Sequence, residues 1–167
     1  MRRGLFCLLV LLVGCSPPPS RIKVATYNIF WLDDGISDVR RDRLQQVIRE
    51  LDADFIGFQE IQSRAALENI LPDDYEIGIL DDKEELQELA IAVRRPFEIV
   101  TLKMVFPEEV NEQTFPGKRD LLEAQVEGYG QLFTVLIHHA KSRSGGRVET
   151  EERRVLASRM MMQFLVS

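Results

Sequence analysis

Cysteine is scarce in this chain of 167 residues. Its two cysteines, Cys7 and Cys15, both lie near the N-terminus, so no disulfide framework can hold the body of the fold together. Basic residues are also in deficit, with 21 lysines and arginines against 27 aspartates and glutamates and a formal net charge of -6. A chain of this sign is not an electrostatic nucleic-acid binder as a whole, so any such binding would need a local basic patch.

Long apolar runs are missing as well. The apolar stretch from Leu5 to Val13 is too short to cross a bilayer core of about 30 Å as a helix. Hydrophobic residues make up 45% of the chain and charged residues 29%, the balance of an ordinary globular domain. Collagen-like, disordered and polytopic membrane chains are therefore excluded, and the length predicts about one domain.

The first residues are typical of a targeting signal. A short basic segment, Met1-Arg2-Arg3, precedes the apolar stretch, and the pattern indicates a cleavable signal peptide. It ends in Leu12-Val13-Gly14-Cys15, which resembles the lipobox of bacterial lipoproteins. The resemblance implies that Cys15 is lipidated on sulfur and becomes the new N-terminus. The alternative is an ordinary secretory signal with a chance cysteine.

These features divide the chain into three parts. We expect a lipoprotein signal peptide over residues 1–15, a proline-rich linker over residues 16–20 and a folded domain over residues 21–167. The protein would then be anchored by lipid to a membrane through Cys15. Its expected location is the bacterial cell envelope, on the extracytoplasmic side.

The body of the chain alternates strand and helix signals. Pro96 and the Gly128-Tyr129-Gly130 segment each predict a hairpin turn between neighbouring strands. Ser37 and Asp38 can cap a helix whose apolar positions run from Leu44 to Leu51. Two further helices are predicted over Ser63–Leu71 and Val148–Val166, and strands over Ile22–Phe30, Asp54–Glu60, Tyr75–Leu80, Leu89–Arg94, Phe97–Phe106, Leu121–Glu127 and Leu132–His138.

Three polar sites interrupt the apolar strands. Asn28 lies between large apolar neighbours, where an unpaired amide is costly. Glu60 ends a buried strand, a position from which a carboxylate can hold a hard divalent cation. The run His138-His139-Ala140-Lys141-Ser142 ends another strand, where imidazole and ammonium groups can stabilise phosphate oxygens. Each of these residues alone is more often satisfied by loop backbone than catalytic.

In this order, however, the motifs resemble the endonuclease/exonuclease/phosphatase superfamily, which includes exonuclease III and DNase I. The resemblance covers most of residues 21–167 and departs from the family at His138, Ala140 and Asp120, where asparagine, leucine and proline are usual. The matching segments are Ala25-Thr26-Tyr27-Asn28, Gly57-Phe58-Gln59-Glu60, Lys118-Arg119 and His139-Ala140-Lys141-Ser142.

The resemblance implies an α/β fold, the N-terminal portion of a DNase I-like four-layer α/β/β/α sandwich with mixed sheets. It also implies a metal-dependent phosphoesterase in which Glu60 binds Mg²⁺ or Mn²⁺. Asn28 would serve as a metal ligand or orient the nearby ligands, and Asn28, His139 and Arg119 would be the catalytic residues. The bound ion would polarise the phosphoryl group and offset charge on the leaving oxygen.

The substrate is the least determined feature. A phosphodiester in nucleic acid is the first expectation, and a phospholipid or sugar phosphate is the second. The only local concentration of basic residues is the loop from Lys141 to Arg147, which could contact one or two backbone phosphates. A different class of function also stays open, namely a non-catalytic, membrane-anchored binding or assembly lipoprotein.

The resemblance further implies that the domain is incomplete. The family's hydrolytic base is an aspartate in a Gly-Asp-x-Asn strand end, and a distal Asp-His pair completes its site. After Ser142 the sequence contains no aspartate or histidine. We therefore expect little turnover from this chain alone, and an uncovered apolar patch at Met160–Val166 in the last helix.

Overall fold

The computed structural model describes residues 20–81, 87–106 and 121–166. These residues form two β-sheets and three helices, in the chain order that the sequence predicts. The predictions for Cys15, for most of the linker and for Lys118, Arg119 and Asp120 lie outside the described residues.

The first sheet has four strands in the order β1-β2-β4-β3. β1 and β2 are parallel, whereas β4 is antiparallel to both β2 and β3, so this sheet is mixed as expected. The strands are β1 (Val24–Leu32), β2 (Phe55–Ile61), β3 (Tyr75–Ile79) and β4 (Glu88–Arg94).

Two helices cover this sheet. The first, α1 (Asp38–Leu51), connects the parallel strands β1 and β2, and the short α2 (Arg64–Glu68) follows β2. Both begin at a serine that accepts a hydrogen bond from a backbone N–H of the first turn, as the predicted cap at Ser37 requires. Apolar side chains from both helices and from the sheet share one core, which includes Ile48, Phe58 and Leu67.

The second sheet has three antiparallel strands and packs face to face on the first. Its strands are β5 (Glu98–Met104), β6 (Leu121–Gly128) and β7 (Gln131–His138), and α3 (Arg147–Val166) follows them. β6 and β7 form the hairpin predicted around Gly128-Tyr129-Gly130. A second core lies between the two sheets and is built largely of aromatic and branched side chains such as Phe55, Phe97 and Ile137.

The turn at Pro96 differs from the prediction. We expected a hairpin there, but β4 belongs to the first sheet and β5 to the second, so the chain crosses between sheets at this point. Phe97, directly after the proline, is only 2% exposed and lies in the core between the sheets. The burial of this ring against both sheets explains why the chain leaves the first sheet here and does not fold back along it.

The third helix lies beside the second sheet. The guanidinium of Arg154 donates to the carbonyl of Lys141, just after β7, and the ring of Phe164 meets that of Phe106 edge-on, just after β5. Its apolar end is largely uncovered, as expected, because Met162 and Leu165 are 59% and 61% exposed. None of the helices in the described part of the chain is long and apolar enough to cross a membrane.

A charged cluster joins three elements at one end of the first sheet. Asp52, the left-handed C-cap of α1, forms ion pairs with Lys23, next to β1, and with Arg94, at the end of β4. Hydrogen bonds from Lys23 and Arg94 lower the pKa of the Asp52 carboxyl below its ordinary value. Because Lys23 and Asp52 are more than half exposed, this cluster contributes little to stability.

Candidate active site at the carboxyl ends of β1 and β2

The site begins where two parallel strands lose their regular pairing. β1 pairs with β2 from Val24 to Asn28, and the register then shifts in both strands before Leu32 meets Ile61. Glu60 sits in the irregular part of β2, with a left-handed φ of 66°. The carboxyl ends of parallel strands meet at one edge of a sheet, so the bulges bring the side chains of Asn28 and Glu60 together.

Three of the predicted residues meet at this edge. The amide Nδ2 of Asn28 donates to Oε1 of Glu60 at 2.9 Å, although the two residues are 32 positions apart. His139 arrives from the end of β7 in the other sheet, and its Nε2 lies 3.4 Å from the same Oε1 and 3.5 Å from the Asn28 amide nitrogen. The side chains of Glu60 and His139 are 14% and 15% exposed, so the carboxylate and the imidazole meet in a mostly desolvated place.

The second oxygen of Glu60 has a different environment. Oε2 is buried and has no hydrogen-bond partner among the described residues. A buried charged oxygen without a hydrogen-bond partner destabilises the folded protein more than a buried neutral polar group without one. Native proteins therefore rarely retain such an oxygen without a reason. A hard divalent cation, which prefers carboxylate oxygen, is the kind of ligand that would satisfy it. The Glu60 carboxylate therefore fits the metal site that the sequence predicted.

Few other metal-ligating side chains among the described residues lie near the Glu60 carboxylate. No group of three or more histidine, cysteine, aspartate or glutamate side chains comes together within the described ranges. A site of this kind suits Mg²⁺, which keeps several water ligands and borrows oxygens from a phosphate substrate.

Asn28 is held by its own backbone as well as by Glu60. Its Oδ1 accepts a hydrogen bond from the backbone N–H of Phe30 at 3.1 Å, which leaves Nδ2 facing the carboxylate. This arrangement fits the orienting role predicted for Asn28. Its role as a metal ligand stays a prediction, because the amide oxygen is engaged by the backbone and the nitrogen faces Glu60.

Two residues that support the site were not predicted from the sequence. Gln59, only 6% exposed, donates from its amide to Oγ1 of Thr26 on β1 and so ties the strands together next to Glu60. Arg40, in the first turn of α1, donates to the backbone carbonyls that follow Asn28. For Gln59, the position of a glutamine directly before the strand-end glutamate was a usable signal in the sequence. Arg40 is one of several arginines in its helix, so no signal in the sequence singles it out.

The basic residues of the predicted site are only partly described. Arg119 and Lys118 lie outside the described residues, so a catalytic role for Arg119 stays a prediction. Lys141 follows His139 closely, and its ammonium group donates to Ser142 at 3.4 Å. Arg143 and Arg147 are exposed, so the loop presents a small basic surface next to the site.

No protein-family model and no curated protein matches the chain. Solved structures do match. TDP2 of D. rerio, in complex with a single-strand DNA product, is 21% identical with a TM-score of 0.60, over 86% of this chain and 56% of that one. A mannosyl-6-phosphatase of Bacteroides thetaiotaomicron is 20% identical with a TM-score of 0.57, over 86% and 60% of the two chains.

A third match is an endonuclease/exonuclease/phosphatase of Bacteroides vulgatus, 17% identical with a TM-score of 0.58, over 86% of this chain and 61% of that one. The chain thus spans less than two thirds of the length of each of these three structures. Likeness at this level of identity establishes the fold alone, and the described part of this chain has the fold of the corresponding portion of the DNase I-like sandwich in these structures.

Proposed function

We propose that this protein is a metal-dependent phosphoesterase whose preferred substrate is a phosphodiester in nucleic acid. The observation that carries the proposal is the buried Oε2 of Glu60, which has no hydrogen-bond partner among the residues that the structure describes and lies beside His139 and Asn28. Superfamily neighbours that include a phosphatase support the chemistry, and the neighbour solved with a single-strand DNA product supports the substrate class. Mg²⁺ or Mn²⁺ is the proposed cofactor.

Each of the three side chains has a distinct part in this proposal. Asn28 fixes one carboxylate oxygen of Glu60, so the other stays directed at the cation site. The bound cation would polarise the phosphoryl group of the substrate. The imidazole of His139 would donate a hydrogen bond to a phosphate oxygen, and it could do so without large motion because it is already packed against Glu60.

A sugar phosphate is the second candidate substrate. The mannosyl-6-phosphatase resembles this chain about as well as TDP2 does, and the Glu60–His139 arrangement needs only a phosphate group. The acidic net charge of -6 also disfavours tight binding to a long nucleic-acid backbone.

Calorimetric titrations with thymidine 5′-monophosphate, mannose 6-phosphate and phosphocholine would test the proposal. We expect binding that requires Mg²⁺ and is tightest for the nucleotide. His139→Ala should weaken the binding of all three compounds by about 10- to 150-fold, because this is the loss of affinity that follows when one hydrogen bond to a charged group is removed. His138→Ala, at the neighbouring position at the end of β7, is the matched control and should have a much smaller effect.

The other outcomes of these titrations are informative. Binding that survives both EDTA and His139→Ala would contradict the proposed site. Tighter binding of mannose 6-phosphate would favour the second candidate.

We also propose that the protein is anchored by lipid through Cys15 at the bacterial cell envelope, facing away from the cytoplasm. The support is the N-terminal signal pattern that ends in Leu12-Val13-Gly14-Cys15. Globomycin, which blocks lipoprotein signal cleavage, should therefore leave a larger form of the protein in expressing cells. Cys15→Ser should abolish the difference. Identical mobility on a gel with and without the inhibitor would contradict the anchor.

A further inference from the structure

Two exposed aromatic side chains stand beside the candidate active site. Phe30 and Trp31 come directly after Ile29 on the bulged end of β1, and they are 72% and 47% exposed. The backbone N–H of Phe30 donates to the side chain of Asn28, so this aromatic pair is fixed to the site by a direct hydrogen bond. Two consecutive exposed aromatic residues form an apolar patch, and a patch of this kind beside a site is typical of a ligand-binding surface.

The backbone under this pair is in a rare conformation. Phe30 and Trp31 both have left-handed φ values, 55° and 53°, in two consecutive residues that are not glycine. Bulky residues seldom adopt this region, and such strain persists only where the surrounding structure enforces it, most often at functional sites.

Arg40 enforces the conformation. Its Nη2 donates to the carbonyls of Ile29 at 2.9 Å and Phe30 at 2.6 Å, and its Nη1 donates to that of Trp31 at 3.3 Å. One guanidinium from α1 therefore binds three consecutive carbonyls of β1. The planar donors of arginine suit this task, whereas the single ammonium of lysine cannot reach the same set.

We infer that Phe30 and Trp31 form an aromatic platform that stacks on a base of the nucleic-acid substrate while the adjacent phosphate lies at Glu60 and His139. This inference rests on the proposed function and adds the residues that recognise the substrate. Stacking on an aromatic side chain is the usual way in which proteins hold unpaired bases.

The charge of the protein favours a base over a lipid surface as the occupant. The chain carries a net charge of -6, and Asp33 and Asp34 lie only one residue beyond the aromatic pair. These carboxylates repel an anionic membrane surface and a nucleic-acid backbone alike, so the aromatic pair is suited to an uncharged face of its ligand. A nucleobase carries no charge, so stacking supplies affinity that the acidic protein cannot obtain from the phosphate backbone.

Trp31 is the only tryptophan of the sequence, so its fluorescence reports on the platform directly. We expect a single-stranded thymidine decamer with phosphorothioate linkages, which resist cleavage, to quench this fluorescence in the presence of Mg²⁺. An abasic decamer with the same backbone should bind at least fivefold more weakly, because each stacked base contributes about 5- to 150-fold in affinity.

Variants are best compared by the anisotropy of a labelled decamer. Trp31→Leu and Phe30→Leu should each weaken binding by about 5- to 150-fold, whereas Trp31→Phe, which keeps an aromatic face, should lose less. Leu132→Ala is the matched control, since Leu132 is 63% exposed but lies at the end of β7 away from His139. Arg40→Lys should weaken binding as well, and Arg41→Lys, which alters a surface pair with Asp38, should not.

Equal binding of the abasic and thymidine decamers would overturn the platform. A blue shift of Trp31 fluorescence with phosphatidylglycerol vesicles, combined with no preference for bases, would overturn it in favour of a membrane contact. The metal proposal is tested separately. If bases quench Trp31 but Glu60→Gln leaves the Mg²⁺-dependent melting shift unchanged, the platform stands and the metal assignment fails.

Discussion

Replacing Glu60 with glutamine should remove the stabilisation that Mg²⁺ or Mn²⁺ gives to the folded protein. A cation that binds only the folded state adds about 2.7 kcal/mol to the free energy of unfolding when its free concentration is about 100 times its Kd. Glutamine keeps an oxygen that can accept from the Asn28 amide, so the local hydrogen bond survives. It lacks the negative charge that a hard cation needs, so we expect the whole of the metal-dependent increment to disappear.

The same substitution has the opposite effect when no metal is present. Wild-type protein then holds a buried carboxylate oxygen that has no hydrogen-bond partner in the described part of the chain, which lowers its stability. Removing the charge should leave the metal-free free energy of unfolding unchanged or raise it by about 1 kcal/mol. Wild type should therefore be the more stable protein with Mg²⁺ and no more stable than Glu60→Gln in EDTA.

Urea unfolding of both proteins, with Mg²⁺ and with EDTA, measures all four free energies. Glu50→Gln on the exposed face of α1 is the matched control and should respond to Mg²⁺ as wild type does. An Mg²⁺ increment that persists in Glu60→Gln would remove Glu60 from the metal site. A loss of several kcal/mol in EDTA would show instead that the carboxylate is structural.

The fold could be predicted from the sequence because its signals are local. The strands and helices follow from the alternation of apolar residues and from serine caps, and each was found near its predicted position. The crossing at Pro96 could not be predicted in this way. Whether a turn makes a hairpin or changes sheets depends on where Phe97 is buried, and this is decided by residues distant in the chain.

The site was partly predictable for a related reason. Asn28 and Glu60 lie on strands that are parallel neighbours, near the point where their regular pairing stops, so strand order brings them close and the bulges complete the contact. His139 comes from the other sheet, 111 residues from Asn28, and only the motif resemblance connected it to them. The contacts of Arg40, the strained backbone at Phe30 and the burial of Oε2 of Glu60 depend on how the side chains pack in three dimensions, which no sequence pattern encodes.

Phe97 should be among the costliest side chains to remove. Its ring packs edge-on against Phe55, Phe133 and Tyr129 at centroid distances of 4.8, 6.0 and 5.4 Å, in the core between the sheets. Truncating a buried phenylalanine to alanine costs about 3–5 kcal/mol, from lost burial and from the cavity left behind. We expect Phe97→Ala to fall in this range in urea unfolding.

Gly128 explains how this ring fits. A Cβ atom at position 128 would lie 2.2 Å from Cδ1 of Phe97, so no side chain can be added to β6 there unless the ring moves. Gly128→Ala should therefore destabilise wild-type protein by about 1–3 kcal/mol through overpacking. The same substitution in Phe97→Ala meets no ring, and the lower backbone entropy of alanine in the unfolded chain should make it neutral or stabilising by about 0.4–1 kcal/mol.

A double-mutant cycle on Phe97 and Gly128 measures this coupling directly. We expect the cost of Gly128→Ala to disappear when Phe97 is alanine, which corresponds to an interaction energy of about 1–3 kcal/mol. Gly130→Ala is the control. Position 130 has a left-handed φ of 72° and open space around it, so its cost of about 1 kcal/mol comes from the backbone and should be equal in both backgrounds. Additive effects of the Phe97 and Gly128 substitutions would show that the ring does not occupy this position, and the contact between the two sheets would then need a different account.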